Sequence, residues 1–397
     1  MALGDLCTVF ADGDWIESKD QSLGGIRLIQ TGNVGEGQFK DRGEKARYIS
    51  EETFFRLRCT EIFEGDCLIS RLPDPVGRSC ILPDTGERMI TAVDCTIVRF
   101  NKIRFLPKFF NYYSQSSEYL VAVDSETTGT TRSRISRSKL AQTPIPVPPL
   151  PEQQRIVAIL DAAFADLAQA KANAQKNLAN AKELFASELN TIFTHKGEGW
   201  EETTLGNVCD VMTGPFGSLL HKSEYVLSGY PVVNPVDISE NYISTEKIKY
   251  VDAKIMQRLA SYRVHENDIL IGRRGDIGRC AVVQKEHEGW LCGTGCFIAR
   301  PNKETDGNFI ASFIRSEVGC EYLNKIATGT TMLNLSNSNL RSLPLNIPKL
   351  KEQQRIVTRL DELSEHCKNL EAVYTQKISL YDEMKQSLLY KAFSGDL

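Results

Sequence analysis

Between Thr127 and Val147 the sequence holds no acidic residue, yet Arg132, Arg134, Arg137 and Lys139 crowd together there. A guanidinium fork matches two acceptors on a guanine edge and also pairs with phosphate oxygens, so this cluster points to nucleic-acid contact, with a solvated surface as the plain alternative. At a later point in the chain the corresponding positions are Met332, Asn334, Asn337 and Asn339. Asparagine pairs with adenine through its amide and equally serves in turns, so both roles stay open. Five further arginines, Arg71, Arg78, Arg273, Arg274 and Arg279, flank short apolar runs. They can aim at DNA or close structural ion pairs. Thr130 and Thr131, with Thr330 and Thr331, follow or flank a glycine and can offer hydroxyls and amides to phosphate, or form a turn that docks a domain.

Other chemistry has little support. The 11 cysteines are scattered from Cys7 to Cys367 without Cys-x-x-Cys spacing, Cys292 and Cys296 being the nearest approach, and only five histidines are present. No metal site is expected; buried thiols acting as small hydrophobes are the better reading. The chain has no phosphate-binding Gly-rich loop, and Asn234-Pro235-Val236 is a poor imitation of an amino-methylation motif. Pro83-Asp84 followed by Glu87 is only a scrap of a nuclease motif, because the lysine is missing. No cofactor and no catalysis of its own are expected. A net charge of −4 argues against a protein that grips nucleic acid alone through one large basic face. No apolar run approaches the roughly 18 residues of a membrane span, and the N-terminus lacks a secretory pattern, so a cytoplasmic protein is expected.

Positioning these residues falls to an internal repeat. Glu152-Gln153-Gln154-Arg155-Ile156-Val157 returns as Glu352-Gln353-Gln354-Arg355-Ile356-Val357, an offset of 200 residues. At that offset Thr128 to Thr131 matches Thr328 to Thr331, Ser136, Ser138 and Leu140 match Ser336, Ser338 and Leu340, and Phe193 matches Phe393. Nearer the start the register drifts, as loops of changed length would make it: Leu3-Gly4-Asp5-Leu6-Cys7 pairs with Leu205-Gly206-Asn207-Val208-Cys209, and Asp66 to Arg71 with Asp268 to Arg273. The chain reads as domain 1–147, helix 148–195, domain 196–347 and helix 348–397. Apolar runs such as Cys67-Leu68-Ile69, Thr96-Ile97-Val98 and Pro231-Val232-Val233 predict short strands in a mixed α/β (α+β) domain.

Proline clusters ending at Pro151 and Pro348 stop each domain, and a helix of about 42 residues, about 63 Å, follows. Ile156, Leu160, Ala163, Leu167, Ala170, Ala174, Ala181 and Leu184 form a seam in the first. Ile356, Leu360, Leu363, Cys367, Leu370, Tyr374, Tyr381, Met384 and Leu388 form one in the second. Such stripes need a partner. The two helices pairing as an antiparallel coiled coil is the nearest solution, a third protein the alternative. Two related domains on antiparallel helices have pseudo-twofold symmetry, which suits the reading of two different half-sites at a spacing set by the helices. Glu152, Gln153, Gln154 and Arg155, with Glu352, Gln353, Gln354 and Arg355, are expected both to fix domain to helix and to meet a partner.

The helix-opening segments Pro148-Pro149-Leu150-Pro151-Glu152-Gln153-Gln154-Arg155-Ile156 and Pro348-Lys349-Leu350-Lys351-Glu352-Gln353-Gln354-Arg355-Ile356, the Thr-Gly-Thr-Thr segments and Gly214-Pro215-Phe216-Gly217-Ser218 give the whole chain a family likeness. It resembles the specificity (S) subunit of type I restriction-modification systems. The resemblance implies two target-recognition domains reading a bipartite, non-palindromic site in double-stranded DNA, and helices that bind two DNA methyltransferase (modification) subunits. Methyl transfer would belong to those partners, and cleavage to a motor-nuclease subunit. The first domain departs from the pattern, with Gly13-Asp14-Trp15 and Gly24-Gly25 where Gly214 to Ser218 is sought, so its loop is expected to differ. The rival readings are a coiled-coil scaffold that does not bind DNA and, more remotely, a nuclease-like enzyme.

Overall fold

The computed structural model describes residues 1–129, 133–195, 197–215, 219–239, 241–274, 277–328 and 333–397. The chain forms two compact units. The first takes Met1–Gln175 with Gln376–Leu397, and the second takes Lys176–Thr375. Each unit thus owns one mixed α/β domain, the start of the long helix that follows it, and the end of the other long helix.

In the first unit the strands Cys7–Asp12, Cys95–Phe100, Cys67–Ser70 and Ser79–Ile81 lie side by side in an antiparallel sheet. In the second the order repeats with Cys209–Thr213, Cys296–Pro301, Ile269–Gly272 and Cys280–Val282. The expected run Cys67-Leu68-Ile69 is buried on both faces, which is why it is apolar without alternation. At the foot of each sheet a buried aspartate takes a bidentate arginine. Asp66 holds Arg99 at 2.7 and 2.6 Å, and Asp268 holds Arg300 at 2.8 Å twice. A second sheet carries a parallel pairing in each domain, Ile26–Ile29 with Met89–Thr91 and Tyr230–Val233 with Leu291–Cys292.

The helices run Leu150–Thr194 and Leu350–Ser394. Leu160, Phe109, Leu389 and Ala392 share the core of the first unit, and Phe393 packs on Phe109 and Tyr113 at 5.4 and 5.1 Å between ring centroids. In the second unit Leu360 shares a core with Leu189, and Phe193 packs on Phe309 and Phe313 at 5.3 and 5.5 Å. The two helices run antiparallel within each unit: Arg155 donates to the Leu397 carbonyl at 2.8 Å while Lys171 pairs with Asp382 at 2.5 Å, and Arg359 pairs with Glu188 at 2.5 Å.

The seam differs from the expected one at three positions. Leu184 and Met384 are half exposed, and Leu370 is only partly covered. At the same two levels the inward places go to Phe185, which packs against the core of its unit, and to the Lys385 stem, whose ammonium sits 5.4 Å over the Phe164 ring. An α-helix turns through 3.6 residues, so a stripe extended at a strict heptad drifts off the buried face.

Among the described residues no helix is long and apolar enough to cross a membrane. Nine of the 11 cysteines are buried and all are free thiols. Burial pushes Cys80, Cys209 and Cys280 up to about 12.

Candidate nucleic-acid interface

The basic segment of the first domain leads into a short helix, Arg137–Ala141, opened by Ser136, whose side chain accepts the Lys139 amide. Its cations meet carboxylates that lie outside the segment. Arg134 pairs with Asp94 at 3.0 Å, Arg137 approaches Asp12 at 3.8 Å, and Lys139 reaches Glu126 at 3.1 Å through the carboxylate and again through the carbonyl. All three cations remain roughly half exposed, so each carboxylate orders its partner without sealing it off. Thr130, Thr131 and Arg132 lie outside the described residues, as do Thr330 and Thr331.

The second domain uses the same positions with a different chemistry. Ser336 caps the helix Asn337–Arg341 by accepting the Asn339 amide at 3.1 Å. The Asn337 side chain donates to the Val211 carbonyl and to Thr213 Oγ1, at 3.0 and 3.3 Å, and that of Asn339 donates to the Ile326 carbonyl at 2.7 Å. Thr213 ends the strand that corresponds to the one Asp12 ends, and Ile326 is the counterpart of Glu126. Positions 137 and 337, and 139 and 339, therefore tie the same parts of the two domains together. Asn334 joins Thr328 and Arg274 through backbone bridges, and its Oδ1 is buried without a hydrogen-bond partner among the described residues.

Arg71 and Arg273 begin equivalent crossings: the Ile135 amide donates to the Arg71 carbonyl at 3.3 Å, and the Leu335 amide to the Arg273 carbonyl at 3.0 Å. The Arg71 guanidinium is buried, pairs with Asp12 at 3.2 Å and donates to the Val93 carbonyl. Arg273 donates to the Leu335 carbonyl at 3.1 Å and lies 5.9 Å from the Phe297 ring. Arg274 is exposed. Arg78 is a clamp within its own domain, donating to the carbonyls of Val34, Leu72, Pro75 and Thr31 at 2.8 to 3.0 Å. Arg279 repeats the Thr31 contact on Pro235 at 3.2 Å. Burial pulls both Arg71 and Arg78 below the usual arginine range. The sequence leaves Arg78 open to DNA or to a structural ion pair; among the described residues its hydrogen bonds go to backbone carbonyls.

Gln153 and Gln353 are buried latches. The Gln153 carbonyl accepts the Leu106 amide at 2.9 Å, and its amide donates to the Arg104 and Pro148 carbonyls at 3.2 and 2.8 Å. Gln353 accepts from Asp306 at 2.8 Å and donates to Glu304 and Pro348 at 3.0 and 2.8 Å. This is the domain-to-helix half of the expected mixed role, and neither side chain is open to a partner. Gln154 and Gln354 are exposed, and Glu152 and Glu352 take Arg155 and Arg355 in bidentate pairs at 2.6 to 2.8 Å on the helix surface.

One correspondence escaped the sequence comparison. The Gly13 amide donates to the Cys95 carbonyl at 2.9 Å, and the Gly214 amide to the Cys296 carbonyl at 2.9 Å, each just past the equivalent strand. A Cβ on Gly13 would come within 2.3 Å of the Ala92 oxygen, and one on Gly214 within 2.7 Å of the Gly293 oxygen. Gly13 is therefore the counterpart of Gly214, and the expected departure begins only after it. The signal available beforehand was the shared register from Leu3 and Leu205, hidden by one inserted residue at a bulge between Cys7 and Val9.

The chain matches the type I restriction modification DNA specificity domain over residues 1–177 and again over 197–380. It is 22% identical over 340 residues to the type I restriction enzyme EcoBI specificity subunit of Escherichia coli, covering 80% of this chain and 70% of that one. To the EcoKI specificity subunit of Escherichia coli strain K12 it is 23% identical, covering 76% and 68%. Its fold is similar to a chain from a structural study of type I R-M system assembly and conformational transition, with a TM-score of 0.75, 20% identity and coverage of 100% and 97%. It is also similar to the HsdS subunit from Thermoanaerobacter tengcongensis, with a TM-score of 0.64, 20% identity and coverage of 100% and 96%. With the family domain matched twice, at the two halves of the repeat, the chain belongs to the type I restriction modification DNA specificity family.

Proposed function

We propose that this chain is the sequence-reading subunit of a type I restriction-modification complex. Its domains, 1–147 and 196–347, each read one half of a bipartite site in double-stranded DNA. The two long helices hold the readers at a fixed spacing and dock two methyltransferase subunits. The observation that carries this reading is the substitution of Arg137 and Lys139 by Asn337 and Asn339 at structurally equivalent positions. Two domains with one scaffold and different polar chemistry at matched places suit two different half-sites.

Of the described candidate cations, Arg134, Arg137, Lys139 and Arg274 are the exposed ones and are assigned to DNA, whereas Arg71 and Arg78 shape the surface that carries them. The chain itself performs no chemistry in this reading. Methyl transfer falls to the docked subunits and cleavage to a motor-nuclease subunit, in the cytoplasm where the chromosome lies. For docking, each long helix offers an exposed glutamine and arginine near its start, Gln154 and Arg155 or Gln354 and Arg355, and the second helix adds the partly exposed Leu370 and Val373 in one unit and Leu380 and Met384 in the other.

The test is co-expression with the neighbouring methyltransferase subunit, purification of the complex, and genome-wide mapping of methylated adenine. A bipartite motif with a fixed spacer is expected. Failure to form a complex, together with the absence of any motif, would leave a scaffold that does not read DNA.

A further inference from the structure

Trp15 stands two residues beyond Gly13, as Phe216 stands two residues beyond Gly214 in sequence; Phe216 lies outside the described residues. Trp15 is 69% exposed. The other two tryptophans are sheltered: Trp200 packs against Phe193 and Phe309, and Trp290 against His287. A lone exposed apolar residue usually needs no explanation, but Trp15 has a built setting.

The backbone beside it is pinned. The Asp14 amide donates to Thr91 at 2.8 Å, the Val93 amide donates to the Asp14 carbonyl at 3.0 Å, and the Asp14 carboxylate accepts the Thr60 amide at 2.9 Å. The indole Nε1 donates to Glu17 at 3.3 Å, and Glu17 is itself held by Lys19 at 2.7 Å. Three residues earlier on the same segment, Asp12 holds Arg71 and approaches Arg137. Next to Val93, Asp94 holds Arg134. An exposed indole thus stands on a pinned backbone, three residues from the aspartate that Arg137 approaches and next to the turn whose aspartate holds Arg134.

We propose that Trp15 is a specificity-determining contact of the first domain, placing its indole against the base edges of duplex DNA while Arg134 and Arg137 engage the flanking phosphates or guanines. An apolar ring in a groove packs on a thymine methyl or wedges at a base step, contacts that depend on sequence as a phosphate contact does not. The partner is DNA because the residues linked to Trp15 are guanidiniums. The inference rests on the function proposed above.

The experiment uses the full chain in complex with its methyltransferase subunits and a labelled duplex carrying the mapped motif. Cognate and single-base-substituted duplexes are titrated against wild type, Trp15→Ala and Trp15→Phe. Trp15→Ala is expected to weaken cognate binding about 10-fold, to flatten discrimination at a position of the first half-site only, and to leave the melting temperature unchanged. Trp15→Phe restores most of the loss. Equal affinity and an unchanged motif for Trp15→Ala, with a wild-type complex that binds, overturns the assignment of Trp15 and leaves the proposed function standing. A Trp15→Ala chain that fails to assemble with the methyltransferase subunits in the absence of DNA also overturns it, by making the indole a protein contact. A wild-type complex with no sequence preference removes the proposed function itself.

Discussion

At the scale of single residues, burial separates architecture from recognition more sharply than residue type does. Gln153 and Gln353 are polar but buried, and each bonds one backbone amide and two backbone carbonyls. Replacing either by alanine removes three hydrogen bonds made by a buried side chain, at a cost of about 2 kcal/mol. In thermal unfolding each variant should melt roughly 4 to 8 °C below wild type, and the two losses should be alike because the contacts are alike. Arginines divide in the same way. Arg78→Ala removes a clamp on five carbonyls and should lower stability. Arg134→Ala loses only a half-exposed pair with Asp94, so stability should hold while DNA affinity falls and its salt dependence becomes shallower by about one ion. Binding titrations at several salt concentrations, run beside melting curves, separate the two effects. Unchanged binding by the Arg134 variant would remove this residue from the interface.

At the scale of elements, the long helices are held by the domains as much as by each other. Leu160 and Leu360 are buried in the cores of the two units, and truncating either to alanine should cost about 3 kcal/mol, read as a fall in denaturant midpoint. Met384→Ala, on the exposed side of the second helix, should change stability by less than about 0.5 kcal/mol. A large loss there would restore the simple heptad seam. The strands make a different prediction through their thiols. Burial lifts Cys80 in the first unit and Cys209 in the second from the ordinary thiol value near 9 to about 12. The folded state therefore keeps its proton longer than the unfolded chain. Its stabilising effect is complete below about pH 9 and is lost as pH rises from there through 12. Equilibrium unfolding at stepwise alkaline pH should show this decline, and Cys80→Ala together with Cys209→Ala should flatten it.

At the scale of the whole molecule, the proposed reading of two half-sites calls for two domains alike in scaffold and unlike in surface. Exchange of residues 1–147 for the corresponding domain of a relative with another target should change one half of the methylated motif and preserve the other half and the spacer. The latch residues at the junction are repeated in both halves of the chain, so such an exchange meets matching partners. A motif that changed at both halves would contradict independent readers.

The repeat, the two long helices and their starting points were legible in sequence because they rest on local signals: a 200-residue offset, proline clusters that stop the preceding domain, and apolar spacing close to the helical turn. The family resemblance came from the helix-opening segments together with the Thr-Gly-Thr-Thr segments and Gly214 to Ser218, and it extended over essentially the whole chain. Which side chains lie on the surface was not legible. Arg78 and Arg134 look equivalent in sequence, yet one closes a loop and the other stays half exposed, because their partners, Val34 and Asp94, arrive from strands and turns distant in the chain. The equivalence of Gly13 and Gly214 needed the strand pairing that follows a bulge, and the exchange of Phe393 into the first unit and Phe193 into the second needed the two helices folded back. Periodicity is fixed by neighbours along the backbone. Burial and pairing are fixed by residues brought together across it, and only the tertiary structure decides those.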